Sequence, residues 1–417
     1  MSGLRIAMLG TRGVPARYGG FETAIEEIGR RLAARGHDVT VYCRHSNGSP
    51  EEDPREYLGM KLVFLPALRK RALETPSHTA LSVTHLLAGQ LRRRSDAAIV
   101  FNAANAPFLP LLRAAGIPVA THVDGLEWKR AKWGPAGQKY YLRMEALAVR
   151  CSDLLIADAI GIQDYYREKF DADTVYLAYG APIQSGGESA KLAGLGLEPQ
   201  GYHLVVARFE PENHVHVIVD GYVRSAARTP LVVVGSAPYS DEYTRTVHAL
   251  GDERVRFVGG VWDQDLLDQL YANARIYWHG HSVGGTNPSL LRAIGSGTAT
   301  NAYDVGFNRE VLSTAGRYFS SPDDVAALAE EAESGEGLAE RGELARAFAR
   351  RYDWDTVADG YEQLCLDLAA KRTGRTAHRR ADLKPATAEP TTAEPATAQR
   401  ARAKQARANH GTARVVR

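Results

Sequence analysis

The chain reads as an α/β protein of two Rossmann-like, doubly wound domains, and three observations predict this. Its 417 residues exceed what a single hydrophobic core organises, so two domains plus extra segments are expected. Short apolar runs alternate with amphipathic helical patterns from the first residues, which is the mark of βαβ units and a parallel sheet. A Gly- and Ser-rich stretch near the middle interrupts the alternation, which then begins again.

The first series opens with strand-like Leu4 to Leu9, a helix carrying Phe21, Ala24, Ile25, Ile28 and Leu32, and a strand at Asp38 to Cys43. Further strands are expected at Lys61 to Leu65, Ala97 to Phe101, Ile117 to His122 and Leu154 to Ala157. These place a first domain in residues 1–183 and a linker in 184–200. The second series, His203 to Ala207, Leu231 to Gly235, Arg256 to Val258 and Ile276 to Trp278, builds a second domain over 201–352. A last helix follows in 353–371. Residues 372–417 are rich in Ala, Thr, Pro and Arg and repeat Thr-Ala-Glu-Pro, with too little apolar content to offset ordering entropy, so a disordered basic tail is expected.

Composition narrows the class. Hydrophobic residues at 44% and charged residues at 24% describe an ordinary globular protein with a sizeable core. Three scattered cysteines argue against a disulfide framework and fit a reducing cytoplasm. No apolar run reaches the ~18 residues a spanning helix needs, and the start lacks a signal-peptide pattern. A net charge of +2 averages a near-neutral body with the basic tail, and no nucleic-acid partner is expected.

Four segments carry candidate chemistry. The first βα turn, Gly10 to Thr23, lacks the dinucleotide fingerprint, which removes the main support for a nicotinamide cofactor. Gly19 and Gly20 stand where a helix starts, so a phosphate or sugar would reach backbone N–H groups there; the same glycines also fit a plain surface turn. Arg12 and Arg17 would add charge, and Glu22 suits the helix dipole. The segment Thr121 to Trp133 follows a strand, at the edge where open α/β sheets bind ligands. It brings His122, Asp124 and Glu127 as acid–base candidates, with Trp128 and Trp133 among three cations suited to a sugar, a lipid phosphate or an anionic membrane.

In the second domain Arg208 follows a strand and is suited to a diphosphate. The strongest local signal is Trp278 to Leu291. Asn287 is a helix cap, Pro288 fits the first turn, and Gly284 and Gly285 let a ligand meet free backbone donors. His281 lies at the lip of that loop. No carboxylate or Cys cluster completes a metal site around His279 and His281.

Taken in order, Gly-Gly-Phe-Glu-Thr, Val-Asp-Gly-Leu-Glu-Trp-Lys-Arg, Arg-Phe-Glu-Pro-Glu-Asn, His-Gly-His-Ser-Val-Gly-Gly-Thr-Asn-Pro-Ser-Leu-Leu and Asp304 to Glu310 resemble the retaining GT-B glycosyltransferases of family four, within them the bacterial rhamnosyltransferase-like subgroup. The likeness runs from Leu4 to about Leu368. It implies a GT-B fold, two domains facing across a cleft, the first on the acceptor side and the second binding the donor, with the last helix packing back across both. It implies retaining, metal-independent hexosyl transfer in surface-polysaccharide synthesis. No cofactor is expected. The partners implied are a nucleotide-sugar substrate, dTDP-linked and carrying a deoxysugar such as rhamnose, a glycan or lipid-linked acceptor, and the inner face of the plasma membrane, for a cytoplasmic protein held peripherally there.

Residue by residue, the resemblance puts Gly19 and Gly20 against the donor phosphates, Arg208 and the loop Gly284, Gly285, Thr286 and Asn287 on the diphosphate, and Asp124 with its neighbours on the acceptor side. Two positions depart from it. Asn213 stands where the wider family carries a lysine, and Arg292 where it carries a glutamate that accepts ribose hydrogen bonds, which a cation cannot accept. Either Arg292 adds phosphate affinity or the chain is a degenerate GT-B protein that binds a glycan or a partner.

Overall fold

A computed structural model describes residues 3–16, 19–45, 53–68, 73–90, 94–123, 125–184, 188–235 and 241–370. The expected tail at 372–417, Arg17 and Asp124 lie outside the described residues.

The first lobe contains β1 (Arg5–Leu9), α1 (Gly20–Ala34), β2 (Asp38–Arg44), β3 (Glu56–Tyr57), β4 (Met60–Leu65), α2 (Glu74–Gln90), β5 (Ala97–Phe101), α3 (Leu109–Ala114), β6 (Val119–His122), α4 (Pro135–Cys151), β7 (Leu154–Ala157), α5 (Ile160–Phe170) and β8 (Val175–Tyr176). Its sheet has the order β3-β4-β2-β1-β5-β6-β7-β8 and is parallel except for the β3–β4 pair. The second lobe contains β9 (His203–Val206), α6 (Val215–Arg224), β10 (Leu231–Val234), α7 (Asp241–Leu250), β11 (Val255–Gly259), α8 (Gln264–Ala272), β12 (Ile276–His279), α9 (Pro288–Gly295), β13 (Thr300–Tyr303), α10 (Gly306–Leu312), β14 (Arg317–Phe319), α11 (Pro322–Glu333) and α12 (Leu338–Ala349), and the chain continues into α13 (Trp354–Ala369). The second sheet is all parallel, in the order β11-β10-β9-β12-β13-β14.

Local sequence explains these elements. In β5 all five residues are buried, as a parallel strand covered on both faces requires. Helix α1 buries Ala24, Ile25, Ile28 and Leu32 on one stripe and turns Glu27, Arg30 and Arg31 the other way. Each sheet has a core on both faces. The inner-face cores merge into one apolar body through Leu177, Tyr179, Trp354 and Tyr361. Helix α13, reached from the second lobe, grips α1 of the first: Arg31 pairs with Asp355 at 2.6 Å, and Glu362 takes Arg35 at 2.7 Å and His37 at 2.8 Å.

Most predicted strands lie within a residue or two of those found. Strand β6 starts at Val119 rather than Ile117, because Pro118 has no N–H for the ladder. Strand β13, Thr-Asn-Ala-Tyr, was not anticipated: its buried polar groups hide the apolar run, and Arg341 satisfies Thr300 O and Asn301 Oδ1 at 2.8 and 2.7 Å. In the expected linker, residues 190–195 form a 3₁₀ turn that buries Leu192, and Lys191 N bonds to Gln269 Oε1 of α8 at 2.9 Å. Among the described residues no helix is long and apolar enough to cross a membrane.

Candidate active site

In each sheet the strand order reverses beside its first strand, between β1 and β5 and between β9 and β12. Loops leaving the carboxyl ends at such a point diverge and open a crevice. The two crevices face one another across a cleft of about 510 Å³, within the range of small-molecule sites. One wall carries Gly19, Gly20 and Thr23, and the other carries Arg208, His281, Asn287 and Ser289.

Two helix starts meet here. Gly19 caps α1 with φ +126°, a conformation that side-chain-bearing residues rarely adopt. Asn287 caps α9, its side-chain oxygen accepting from Ser289 N at 2.9 Å, and Pro288 occupies the first turn as the sequence predicted. A Cβ added at Gly20 would lie 3.3 Å from Pro288 Cγ, so the helices approach end to end across the cleft. Each end carries about half a positive charge. Glu22 offsets part of that at α1, its carboxylate accepting from Arg12 N at 3.1 Å; burial raises its pKa, against the backbone bonds and the Arg12 charge that lower it.

Arg208 lines the cleft, and its carbonyl is held by Asn213 Nδ2 at 2.8 Å. Asn213 is thus a buried support for the Arg208 turn and does not itself line the cleft. His281 lines it, with its ring stacked on His279 at 4.5 Å. Burial, then the charges of His279, Arg208 and Arg130, push its pKa well below the usual value, so the imidazole is neutral.

The glycine loop has a different neighbour from the one sequence reasoning gave it. Gly284, Gly285 and Thr286 do not line the cleft; they press on the first lobe. A Cβ on Gly285 would meet Asp158 Oδ1 at 2.0 Å, one on Gly125 would meet the Gly284 backbone at 2.4 Å, and Thr286 Oγ1 donates to Asp158 O at 2.5 Å. Absence of side chains here lets the lobes close. Glu310 adds to this contact by accepting from Ile160 N at the start of α5, at 3.0 Å.

The acid–base candidates are also revised. His122 is buried in a stack with Phe101 and Tyr179, does not line the cleft, and burial lowers its pKa to about 3. Its nitrogens meet no side-chain partner among the described residues. Glu127 is buried and opposes burial with Arg130 and Lys132, whose charges hold its pKa at about 2; Trp133 Nε1 also donates to it at 3.3 Å. Arg130 reaches the buried Glu212 of the second lobe at 3.6 Å, so this cluster is an interlobe support. Trp128 donates to Tyr165 Oη at 3.3 Å and Trp133 packs on Tyr141 at 5.1 Å, which removes the support they lent to membrane contact.

Arg292 lines the cleft but turns to α8, with Nε on Asp268 Oδ1 at 2.5 Å and Nη1 on Gln264 Oε1 at 2.9 Å. Sequence reasoning missed Trp262, Gln264, Tyr271 and Trp354, which also line the cleft. An aromatic two residues past the Gly259-Gly260 pair at the end of β11 was the available signal for the first of them.

Residues 19–180 match the glycosyl transferase 4-like domain, and residues 193–350 match the glycosyl transferases group 1 family. No curated protein matches the sequence significantly. Among solved structures, the chain is similar to sucrose-phosphate synthase from Thermosynechococcus elongatus, with 19% identity, TM-score 0.75, and coverage of 88% of this chain and 100% of that one. It is also similar to Anabaena HepE in complex with UDP and glucose, with 18% identity, TM-score 0.70, and 87% and 99% covered. A third is the E. coli trehalose-6-phosphate protein bound with UDP-2-fluoro glucose, with 12% identity, TM-score 0.65, and 88% and 99% covered. At these identities the structures establish the fold, while the two family matches, one on each lobe, identify the chain as a glycosyltransferase of the GT-B type.

Proposed function

We propose that the cleft binds a nucleotide-sugar donor by its diphosphate and passes the sugar to a glycan or lipid-linked hydroxyl with retention of configuration. The observation that carries this reading is the end-to-end approach of α1 and α9, whose positive ends line one cleft together with Arg208. Charge grows on the diphosphate as the bond to the anomeric carbon breaks, and fixed dipoles aimed there favour the transition state over the bound donor. Neutral His281 has one N–H to donate to the diphosphate and carries no acidic second proton. The acceptor oxygen bonds to the anomeric carbon on the face the diphosphate leaves, and its proton passes to the departing phosphate oxygen. Positive protein groups do the work a metal ion does elsewhere.

The motif resemblance supports a dTDP-linked deoxysugar such as rhamnose, whereas HepE and the trehalose-6-phosphate protein are in complexes with UDP or UDP-sugars. Both pyrimidine donors therefore belong in the test. Calorimetric titration of the folded chain with UDP and with dTDP should give saturable heat for one of them, and nucleotide sugars of that base should be slowly hydrolysed without acceptor. A folded sample that binds neither nucleotide rejects the proposal.

A further inference from the structure

Trp262 stands out among the large apolar side chains. Its indole is 60% exposed, yet it lines the cleft, lying over Gly260 so that a Cβ there would meet the ring at 3.2 Å. An exposed flat ring on the wall of the cleft presents an apolar face, and every nucleobase offers a π-face to match it. The segment that carries it is clamped on two sides. Lys191 holds Asp263, the cap of α8, at 2.7 Å. Arg292, from α9, holds the first turn of α8 through Gln264 Oε1 at 2.9 Å, Gln264 O at 3.4 Å and Asp268 at 2.5 Å. Its planar fork is thus directed at α8, two residues past the tryptophan, and not at the middle of the cleft.

We infer that Trp262 is the stacking platform for the base of the nucleoside diphosphate, and that Arg292 is the positioning residue that holds this platform through Gln264 and Asp268. The inference rests on the donor reading above. It gives Arg292 a working role that needs neither a phosphate contact nor loss of activity.

The test compares UDP with ribose 5-diphosphate, which has the same sugar and phosphates but no base; if dTDP is the nucleotide that binds, 2-deoxyribose 5-diphosphate takes the place of ribose 5-diphosphate throughout. Dissociation constants are measured by calorimetry on the full chain and its variants. Trp262→Ala should weaken nucleotide binding roughly tenfold, the scale of one lost base stack, and leave ribose 5-diphosphate unchanged. Trp262→Phe should retain most of the affinity. Arg292→Gln and Asp268→Asn, which break the strut from opposite sides, should each weaken the nucleotide severalfold and spare ribose 5-diphosphate. Arg292→Glu faces Asp268 with a like charge and should weaken the nucleotide further. Equal loss of both ligands in Arg292→Gln means a direct phosphate contact and overturns the inference, as does tighter nucleotide binding by Arg292→Glu. Unchanged nucleotide affinity in Trp262→Ala also overturns it while leaving the donor reading intact. A wild-type chain that binds neither ligand removes both.

Discussion

Replacing Gly125 with alanine tests whether catalysis needs the lobes pressed together as they are here. A Cβ at residue 125 would stand 2.4 Å from the carbonyl carbon of Gly284 and 2.5 Å from its Cα. Both atoms are backbone, so neither can rotate aside, and carbons in contact prefer about 3.5 Å, which forces the surfaces apart by roughly 1 Å. Gly125 is not among the glycines with positive φ, so alanine suits its own lobe. The same displacement would take the 2.5 Å bond from Thr286 Oγ1 to Asp158 O out of hydrogen-bond range and lengthen the 3.6 Å Arg130–Glu212 pair. One neutral bond at about 1 kcal/mol and part of a charged contact put the cost of closure near 2 kcal/mol. That corresponds to about a 30-fold loss of kcat/KM. Steady-state donor hydrolysis or transfer measures it, beside a thermal melt in which Tm should move by no more than about 2 °C, since neither lobe is altered internally. Wild-type kcat/KM at unchanged Tm would refute the closure argument.

Other changes probe separate parts of the structure. Asn287→Ala removes the α9 cap and should cost about 1 kcal/mol of stability, whereas Asn287→Asp keeps the cap but puts a negative charge beside the diphosphate; unfolding midpoints and kcat/KM should therefore fall in different variants. Arg130→Met leaves buried Glu212 without the cation facing it and should destabilise by about 3 kcal/mol in urea unfolding, with Glu212→Gln in the same chain restoring part of the loss. Burial lowers the pKa of His122 and His279 to about 3 and of His78 to about 4, so the folded chain binds fewer protons than the unfolded one below pH 6.5. Stability present above that pH should decline as pH falls from 6.5 toward 4, by up to about 4 kcal/mol per pH unit if all three take part, and a flat unfolding midpoint over that range contradicts it. Gly89→Ala, on an exposed face of α2 with nothing within 4 Å of the new methyl, should stabilise the fold by about 0.5–1 kcal/mol and leave kinetics unchanged.

Much of the architecture was legible because it depends on local periodicity. The buried run Ala97–Phe101 and the stripe of α1 are each complete within a few residues, so their identity did not depend on partners. The cap at Asn287 was readable for the same reason: a cap acts on the amide two residues later. Strand β13 was hidden because Thr300 and Asn301 look polar, yet the Thr300 hydroxyl donates to Thr298 O and Arg341, forty residues on, donates to Asn301 Oδ1, so both are buried. The same distance problem misled the assignment of His122 and Glu127. Their residue types suit acid–base work, but the stack of Phe101 and Tyr179 and the cations Arg130 and Lys132 decide what they do.

The glycines at 284 and 285 show the same dependence on distant neighbours. A glycine pair before a helix cap has two physical uses, to admit a ligand to free amides or to admit another stretch of backbone, and both demand the same residue. Here the neighbours are Gly125 and Asp158 of the opposite lobe, so the pair serves closure, and the anion is left to the helix ends themselves. The two functions remain coupled, because the loop that presses on Asp158 runs directly into the Asn287 cap of α9. Bringing the lobes together therefore sets the distance between the α1 and α9 termini. Donor binding and closure should then change together: a variant that loosens the Gly125–Gly284 contact will weaken diphosphate binding even though neither residue lines the cleft.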